Sequence, residues 1–264
     1  MPHPLSRRQL LGGSVGLGLA ALALGGEVSE TDASETTSRA VEAAAAAELL
    51  AQRLSACHPA GDPLEALLAG NARFAQLWQS TSGNLDPRAR MARFAALWRR
   101  NCQIDPAALA RGQKPWAAVL TCADSRVSPE WLFDVGPGAL FEVRSAGNTA
   151  FAAGIASLEY AVAELAVPLI LVLGHSGCGA VTAAMGDDPL TPLLQELVQP
   201  IRACLRPGMD LQAAIEANAR ATARTLPRQS ALLAGAMATG RLRIATAALD
   251  LGSGRVGLLE TTAR

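Results

Sequence analysis

Aromatic side chains are scarce in this chain of 264 residues, at 4% of the total. Net charge is missing too, since 23 Lys and Arg stand against 23 Asp and Glu. The arginines are scattered, so no basic stripe is available to track a phosphate backbone, and no nucleic-acid partner is expected. Histidine is limited to three residues, at 3, 58 and 175. The five cysteines, at 57, 102, 122, 178 and 204, include no C-x-x-C pair, which argues against a thiol-redox protein. Their odd number does not suit a pure disulfide framework, so some thiols have another task. A disulfide among Cys57, Cys102 and Cys204 stays open, because sequence cannot pair them. Half of the residues are hydrophobic, enough for one large core without a second domain.

What is present begins with "SRRQLL" at residues 6–11, where Arg7 and Arg8 precede an apolar run rich in glycine and alanine, Leu10 to Gly26. No acid occurs before Glu27. This layout resembles a secretory signal of the twin-arginine type and implies export to the periplasm or the extracellular side. The run is too glycine-rich for a stable membrane span, and none is expected after processing. "ALA" at 21–23 is a plausible cleavage site. Residues 1–26 therefore read as signal, 27–62 as a linker or N-terminal extension, and 63–264 as the functional domain. "EVSETDASETTS" is small and polar and is expected to be disordered, whereas "AVEAAAAAELLAQRL" holds strong helix formers. "LSAC" at 54–57 matches a lipoprotein box but lies about thirty residues beyond the signal segment, where it carries no meaning.

"NARFAQLW" at 71–78 recurs as "MARFAALW" at 91–98. In both, the aromatics fall at i and i+4, so each predicts an amphipathic helix with one aromatic face. The expected use is packing, against the core or a partner subunit. From residue 116 the pattern changes. "WAAVLTC", "ALFEVRS" and "PLILVLGH" read as buried strands; "SPEWLFDV", with Ser128 as N-cap and Pro129 at N1, and "TAFAAGIASLEYAVAEL" read as helices. Residues 190–225 are mostly helical, and "RLRIATAALDL", "GSG" and "RVGLLE" form a closing antiparallel hairpin. The predicted fold is α/β: a central, mostly parallel sheet with an antiparallel C-terminal edge, helices on both faces and extra N-terminal helices.

In open parallel sheets, ligands bind beyond the carboxyl ends of the strands. One buried strand ends in "LTCADSR" and another in "LGHSGCG", which gathers Cys122, His175 and Cys178 at one sheet edge. Two thiolates and an imidazole form a catalytic zinc set with a fourth position left free, and soft sulfur selects zinc over magnesium or calcium. Glycines 174, 177 and 179 let the backbone wrap closely around an ion. A lone buried cysteine would be a small hydrophobe and a lone buried histidine a core residue; the second strand end beside charged residues is what raises the set above both readings. "GHSGCG" has the glycine order opposite to a dinucleotide fingerprint, and nucleotide binding is set aside.

"CADSRVSPEWLFD", "LFEVRSAGN" and "LGHSGCGAV" resemble the signature blocks of the β-class carbonic anhydrases. "LLAGNARF" at 67–74 and "IATAALDLGSGRVGLL" are similar to that family's N-terminal helix and final strand pair, so the resemblance runs from about residue 64 to 261. It implies reversible hydration of CO2 to bicarbonate and a proton, with Zn2+ on Cys122, His175 and Cys178. Asp124 and Arg126 would form the family's carboxylate–guanidinium dyad. Asp124 would accept a hydrogen bond from the metal's water or, in a closed form, take that water's place, with Arg126 deciding which. The resemblance also implies a homodimer or a multiple of dimers. Phe141, Val143 and Tyr160 are candidates for an apolar CO2 pocket. No histidine shuttle is expected in that pocket, so external buffer would carry the proton. The chain departs from the family pattern at Ser145, where Asn is common, and in "GPGALF", and altered loop detail is expected there. Two other readings share these residues: a hydrolase of carbonyl sulfide or carbon disulfide with the same fold, and a non-catalytic zinc-binding homologue.

Overall fold

In a computed structural model that describes residues 30–83 and 85–261, the chain divides into two compact units, one up to Leu50 and one from Ala51 onward. The expected signal, with Arg7 and Arg8, lies outside the described residues. Helix α1, Glu30–Leu54, takes in the described part of the extension. Disorder is the expectation for its polar start, yet helix runs through it. The alanine-rich stretch that follows supplies the nucleus, and each residue added to a nucleus gains a hydrogen bond.

Three Asp-Pro pairs open the next three helices: α2, Pro63–Ser80; α3, Pro87–Trp98; and α4, Pro106–Leu109. In each, the aspartate side chain accepts a first-turn N–H and the proline occupies a position that needs no donor. The sheet comprises β1, Ala117–Cys122; β2, Leu140–Ser145; β3, Leu169–His175; β4, Arg243–Asp250; and β5, Arg255–Thr261. Its order is β2-β1-β3-β4-β5, parallel except for the β4–β5 pair. The predicted architecture therefore holds. Helix α5, Pro129–Leu132, joins β1 to β2, and α6, Ala152–Ala163, joins β2 to β3. Four helices lead from β3 to β4: α7, Gly179–Met185; α8, Pro192–Arg202; α9, Leu211–Gln229; and α10, Ala231–Ala238. Ser128 stands at the N-cap of α5 as expected, but its side chain makes no capping bond.

Strand periodicity divides the core in two. Ala117, Val119, Leu169, Leu171 and Leu173 face α2 and the α5 segment, while Ala118, Leu120, Ile170 and Val172 face α6, α9 and α10. All seven residues of β3 are buried, so truncating Leu171 to Ala should cost about 2–5 kcal/mol. A third apolar cluster, around Val181, Val198 and Ile201, seats Cys122 and Cys178 at the carboxyl end of the sheet.

The duplicated helices pack against each other. Phe94 lies 6.4 Å from Phe74 and 6.2 Å from Trp78, and Trp131 of α5 joins them at 5.6 Å from Phe94 and 5.1 Å from Trp98. Packing is the expected use, and its partner lies within the chain. Buried Asn71 ties α2 to both neighbours, donating to the Leu132 and Gly254 carbonyls and accepting from the Val256 N–H. Next to it, a Cβ at Gly70 would come within 1.9 Å of the Phe133 carbonyl oxygen, so only glycine lets α2 approach this closely. Cys57 and Cys102 form a disulfide, which resolves the pairing that the sequence left open.

Candidate metal centre

β1 and β3 are hydrogen-bonded neighbours, and each ends on a predicted ligand: Cys122 is the last residue of β1, and His175 is the last of β3. Three residues beyond His175, Cys178 is the N-cap of α7. All three are buried, and their ligand atoms lie within 4.8 Å of one another. The two sulfurs are 4.0 Å apart, close to the sulfur–sulfur edge of about 3.8 Å expected for a tetrahedron with 2.3 Å zinc–sulfur bonds.

The donor set fits a metal in its protonation as well as its spacing. His175 Nδ1 is 3.0 Å from the Ser176 carbonyl oxygen. A carbonyl only accepts, so Nδ1 carries the proton and the Nε2 lone pair is free. That Nε2 atom is buried without a hydrogen-bond partner among the described residues, an arrangement that is costly unless a cation takes the lone pair. The Cys178 thiol lies beside Cys122 and, with the Gly147 N–H at 3.2 Å from the sulfur, holds the Cys122 thiol down near 4, against the effect of burial. The same pairing with Cys122 pushes Cys178 up. Burial works to lower the pKa of His175, but the neighbouring Cys122 sulfur outweighs it, and the net shift is upward. Left to itself, this pocket draws in positive charge.

Asp124 and Arg126 meet as a bidentate pair. Arg126 Nε donates to Oδ1 at 2.8 Å and Nη2 to Oδ2 at 2.6 Å, and the Arg126 backbone N–H adds a third bond at 2.9 Å. This fork holds the Asp124 carboxyl well below the usual carboxylate range. Asp124 Oδ2 is 3.8 Å from His175 Nε2, so the dyad adjoins the ligand cluster.

Sequence reasoning missed the residues that hold this loop in place. Arg144 of β2 donates to three carbonyls, of Cys122 at 3.2 Å, Asp124 at 2.9 Å and Val127 at 2.6 Å. Buried Asn218 of α9 donates to the Gly147 carbonyl at 2.7 Å, on the same residue whose backbone N–H meets Cys122. Gly147 has φ 75 and faces Ile201, so no side chain fits there. Of the glycines around His175, only Gly177 takes a positive φ. Ser145, one of the departures, closes its turn with a hydroxyl 3.2 Å from Thr149 Oγ1.

The apolar candidates are placed elsewhere. Val143 is core, packed under α6, and Phe141 pairs with half-exposed Tyr160 at 6.3 Å. A cavity of about 320 Å3 instead borders Arg126, walled by Phe74, Trp78, Trp131, Leu249 and Leu251. Val143 and Phe141 lie on strand β2, whose alternation sends Val143 into the core, whereas α2 carries Phe74 and Trp78, and α5 carries Trp131, to the dyad. His58 hydrogen-bonds the Lys114 carbonyl at 2.7 Å, toward the opposite end of β1 from Cys122.

The sequence profile of the family described as carbonic anhydrase matches residues 117–256. Carbonic anhydrase 2 of Mycobacterium tuberculosis is 57% identical over 79 residues, 30% of this chain and 38% of that protein. The carbonic anhydrase of Mycolicibacterium smegmatis is 37% identical over 161 residues, 58% of this chain and 78% of that one. Among solved structures, one of two tetrameric β-carbonic anhydrases from Sordaria macrospora superposes with a TM-score of 0.54 at 26% identity, covering 60% of this chain and 87% of that one.

Proposed function

We propose, from the premise that this chain belongs to the β-carbonic anhydrase family, that it catalyses the reversible hydration of CO2 to bicarbonate and a proton with zinc on Cys122, His175 and Cys178. One observation carries the reading: three buried ligand atoms lie within 4.8 Å of one another, with an unpartnered His175 lone pair among them. A zinc ion held there would supply Lewis acidity, bringing the pKa of water toward neutrality. The chain's own groups do the rest. Asp124, kept ionised by Arg126, can only accept; it takes one O–H of the attacking water and so directs a lone pair toward the CO2 carbon. This arrangement matches the open form, in which Arg126 keeps the carboxylate for itself. Arg144, through three carbonyls, holds Cys122 and Asp124 at a fixed separation. Apolar walls beside Arg126 favour an uncharged substrate over water. With His58 bonded near the far end of β1, external buffer carries the proton away.

We further read residues 1–26 as a twin-arginine-type export signal, 27–62 as an extension and 63–264 as the catalytic domain. The Cys57–Cys102 disulfide supports an oxidising destination. Among the described residues, no helix is long and apolar enough to cross a membrane. A homodimer or a multiple of dimers is our reading of the assembly, supported by the tetrameric Sordaria proteins. The activity test is metal removal and return: hydration measured by stopped flow should vanish after chelation and recover with zinc. Full activity in the metal-free protein would overturn the proposal. For export, an Arg7→Lys, Arg8→Lys variant should stay in the cytoplasmic fraction, and unchanged export would refute the twin-arginine reading.

A further inference from the structure

A second concave site, of about 530 Å3, lies between α8 and α9. Its charged lining has one sign: Arg206, Arg224 and Arg228 border it, and no Asp or Glu does. In a chain whose charges cancel, this is a strong local concentration. Arg224 and Arg228 are spaced i, i+4 on α9 and share one helix face. Arg206 comes from the loop that follows α8. The carboxylate nearest the trio, Glu260, is 4.0 Å from Arg224 Nη1, and both side chains are more than half exposed, so solvent screens the pair.

A hydroxyl on the wall also points to a ligand. Thr222 borders the cavity and is 5% exposed, yet its hydroxyl has no hydrogen-bond partner among the described residues. Thr225, one turn away, returns its own hydroxyl to the Ala221 carbonyl at 2.9 Å. A hydroxyl on the cavity wall with no protein partner, beside three cations, can donate to an incoming acceptor. Cys204 adds no negative charge, because burial raises its thiol and Sγ donates to the Ile201 carbonyl.

We propose that this cavity binds an oxyanion carrying two phosphate groups, with Arg206, Arg224 and Arg228 on its oxygens and the Thr222 hydroxyl donating to it. A carboxylate offers two oxygens and is filled by a single guanidinium fork, whereas phosphates present enough acceptors for three. The volume also exceeds what one phosphate needs. Asn218 forms part of the same wall and holds the carbonyl of Gly147, whose N–H meets Cys122, so the ligand sits one side chain away from the metal-site framework. The inference does not depend on the hydration reading.

The test is isothermal titration calorimetry of the zinc-loaded full chain at low ionic strength, with fructose 1,6-bisphosphate as the probe and acetate as the control anion. Saturable binding of the bisphosphate is expected, with none of acetate. Arg206→Gln and Arg228→Gln should each weaken it about tenfold, the size of one lost charge-assisted bond. Thr222→Val should weaken it less, and the exposed control Arg241→Gln should leave it unchanged. Both site arginines are exposed, so these variants should keep the fold, which circular dichroism checks. Absence of saturable binding, or full binding in the Arg206→Gln, Arg228→Gln double variant, would overturn the proposal.

Discussion

Cys57 and Cys102 are joined as a disulfide, whereas Cys122 and Cys178 hold their sulfurs 4.0 Å apart. The first pair closes a loop of sequence separation 45 near the surface, with Cys102 exposed. The second is buried at the carboxyl ends of two parallel strands, with a histidine, an N–H on one sulfur and a carboxylate within reach. The surroundings decide the use of a thiol pair. One set of neighbours leaves sulfurs free to bond to each other; the other spaces them so that they could hold a metal and lowers the pKa of the Cys122 thiol.

The comparison breaks most completely at Cys122. Cys122→Ser should lose zinc by elemental analysis and lower kcat/KM by at least about a thousandfold, since a metal's several kcal/mol of charge stabilisation is removed. Asn218→Leu tests how far the second pair depends on its supports. Zinc affinity should fall about 10–100-fold in a competition titration, the usual effect of losing an outer hydrogen bond around a metal site. The first pair should behave differently. Cys57→Ser with Cys102→Ser should keep one zinc and near-normal hydration while losing roughly 2–4 kcal/mol of stability, read by urea unfolding. Loss of zinc in that variant would erase the distinction between the pairs.

The smallest effect concerns Glu142, on β2 two residues before Arg144. Burial, and then the neighbouring Glu130, push its carboxyl up to about 8, with Arg144 pulling the other way. The folded state therefore holds this proton more tightly than the unfolded chain. Its contribution is fully present below the ordinary value of 4.5 and is lost as pH rises toward 8. Glu142→Gln should flatten that decline and raise Tm at pH 8 by about 2–4 °C, with little change at pH 4.

Much of the site was legible in the sequence because it is local. Buried strands announce themselves by apolar runs, and a strand's carboxyl end is where a parallel sheet presents chemistry, so Cys122, Asp124, Arg126, His175 and Cys178 could be named together. The supports were not legible, for reasons of distance and chemistry. Asn218 is 71 residues from the carbonyl that it holds, and Arg144 acts on backbone oxygens, which every residue has. Val143 has the right character for a substrate pocket, but strand alternation turns it into the core. The aromatic repeat packs as its periodicity predicts; only the tertiary path shows that Phe74 and Trp78 of its first copy wall the cavity beside Arg126. The three Asp-Pro pairs are local helix-start signals, and they explain why helices begin at 63, 87 and 106.

The central claim is that Cys122, His175 and Cys178 hold the metal and that Asp124 uses it. Zinc content and stopped-flow CO2 hydration, measured together on the native chain and on Asp124→Asn, test it most directly. The account predicts one zinc per chain in both proteins and a rate lower by on the order of a hundredfold in the variant, since a single positioning hydrogen bond is lost. Native hydration rates in Asp124→Asn, or one zinc per chain with no hydration in the native protein, would contradict it.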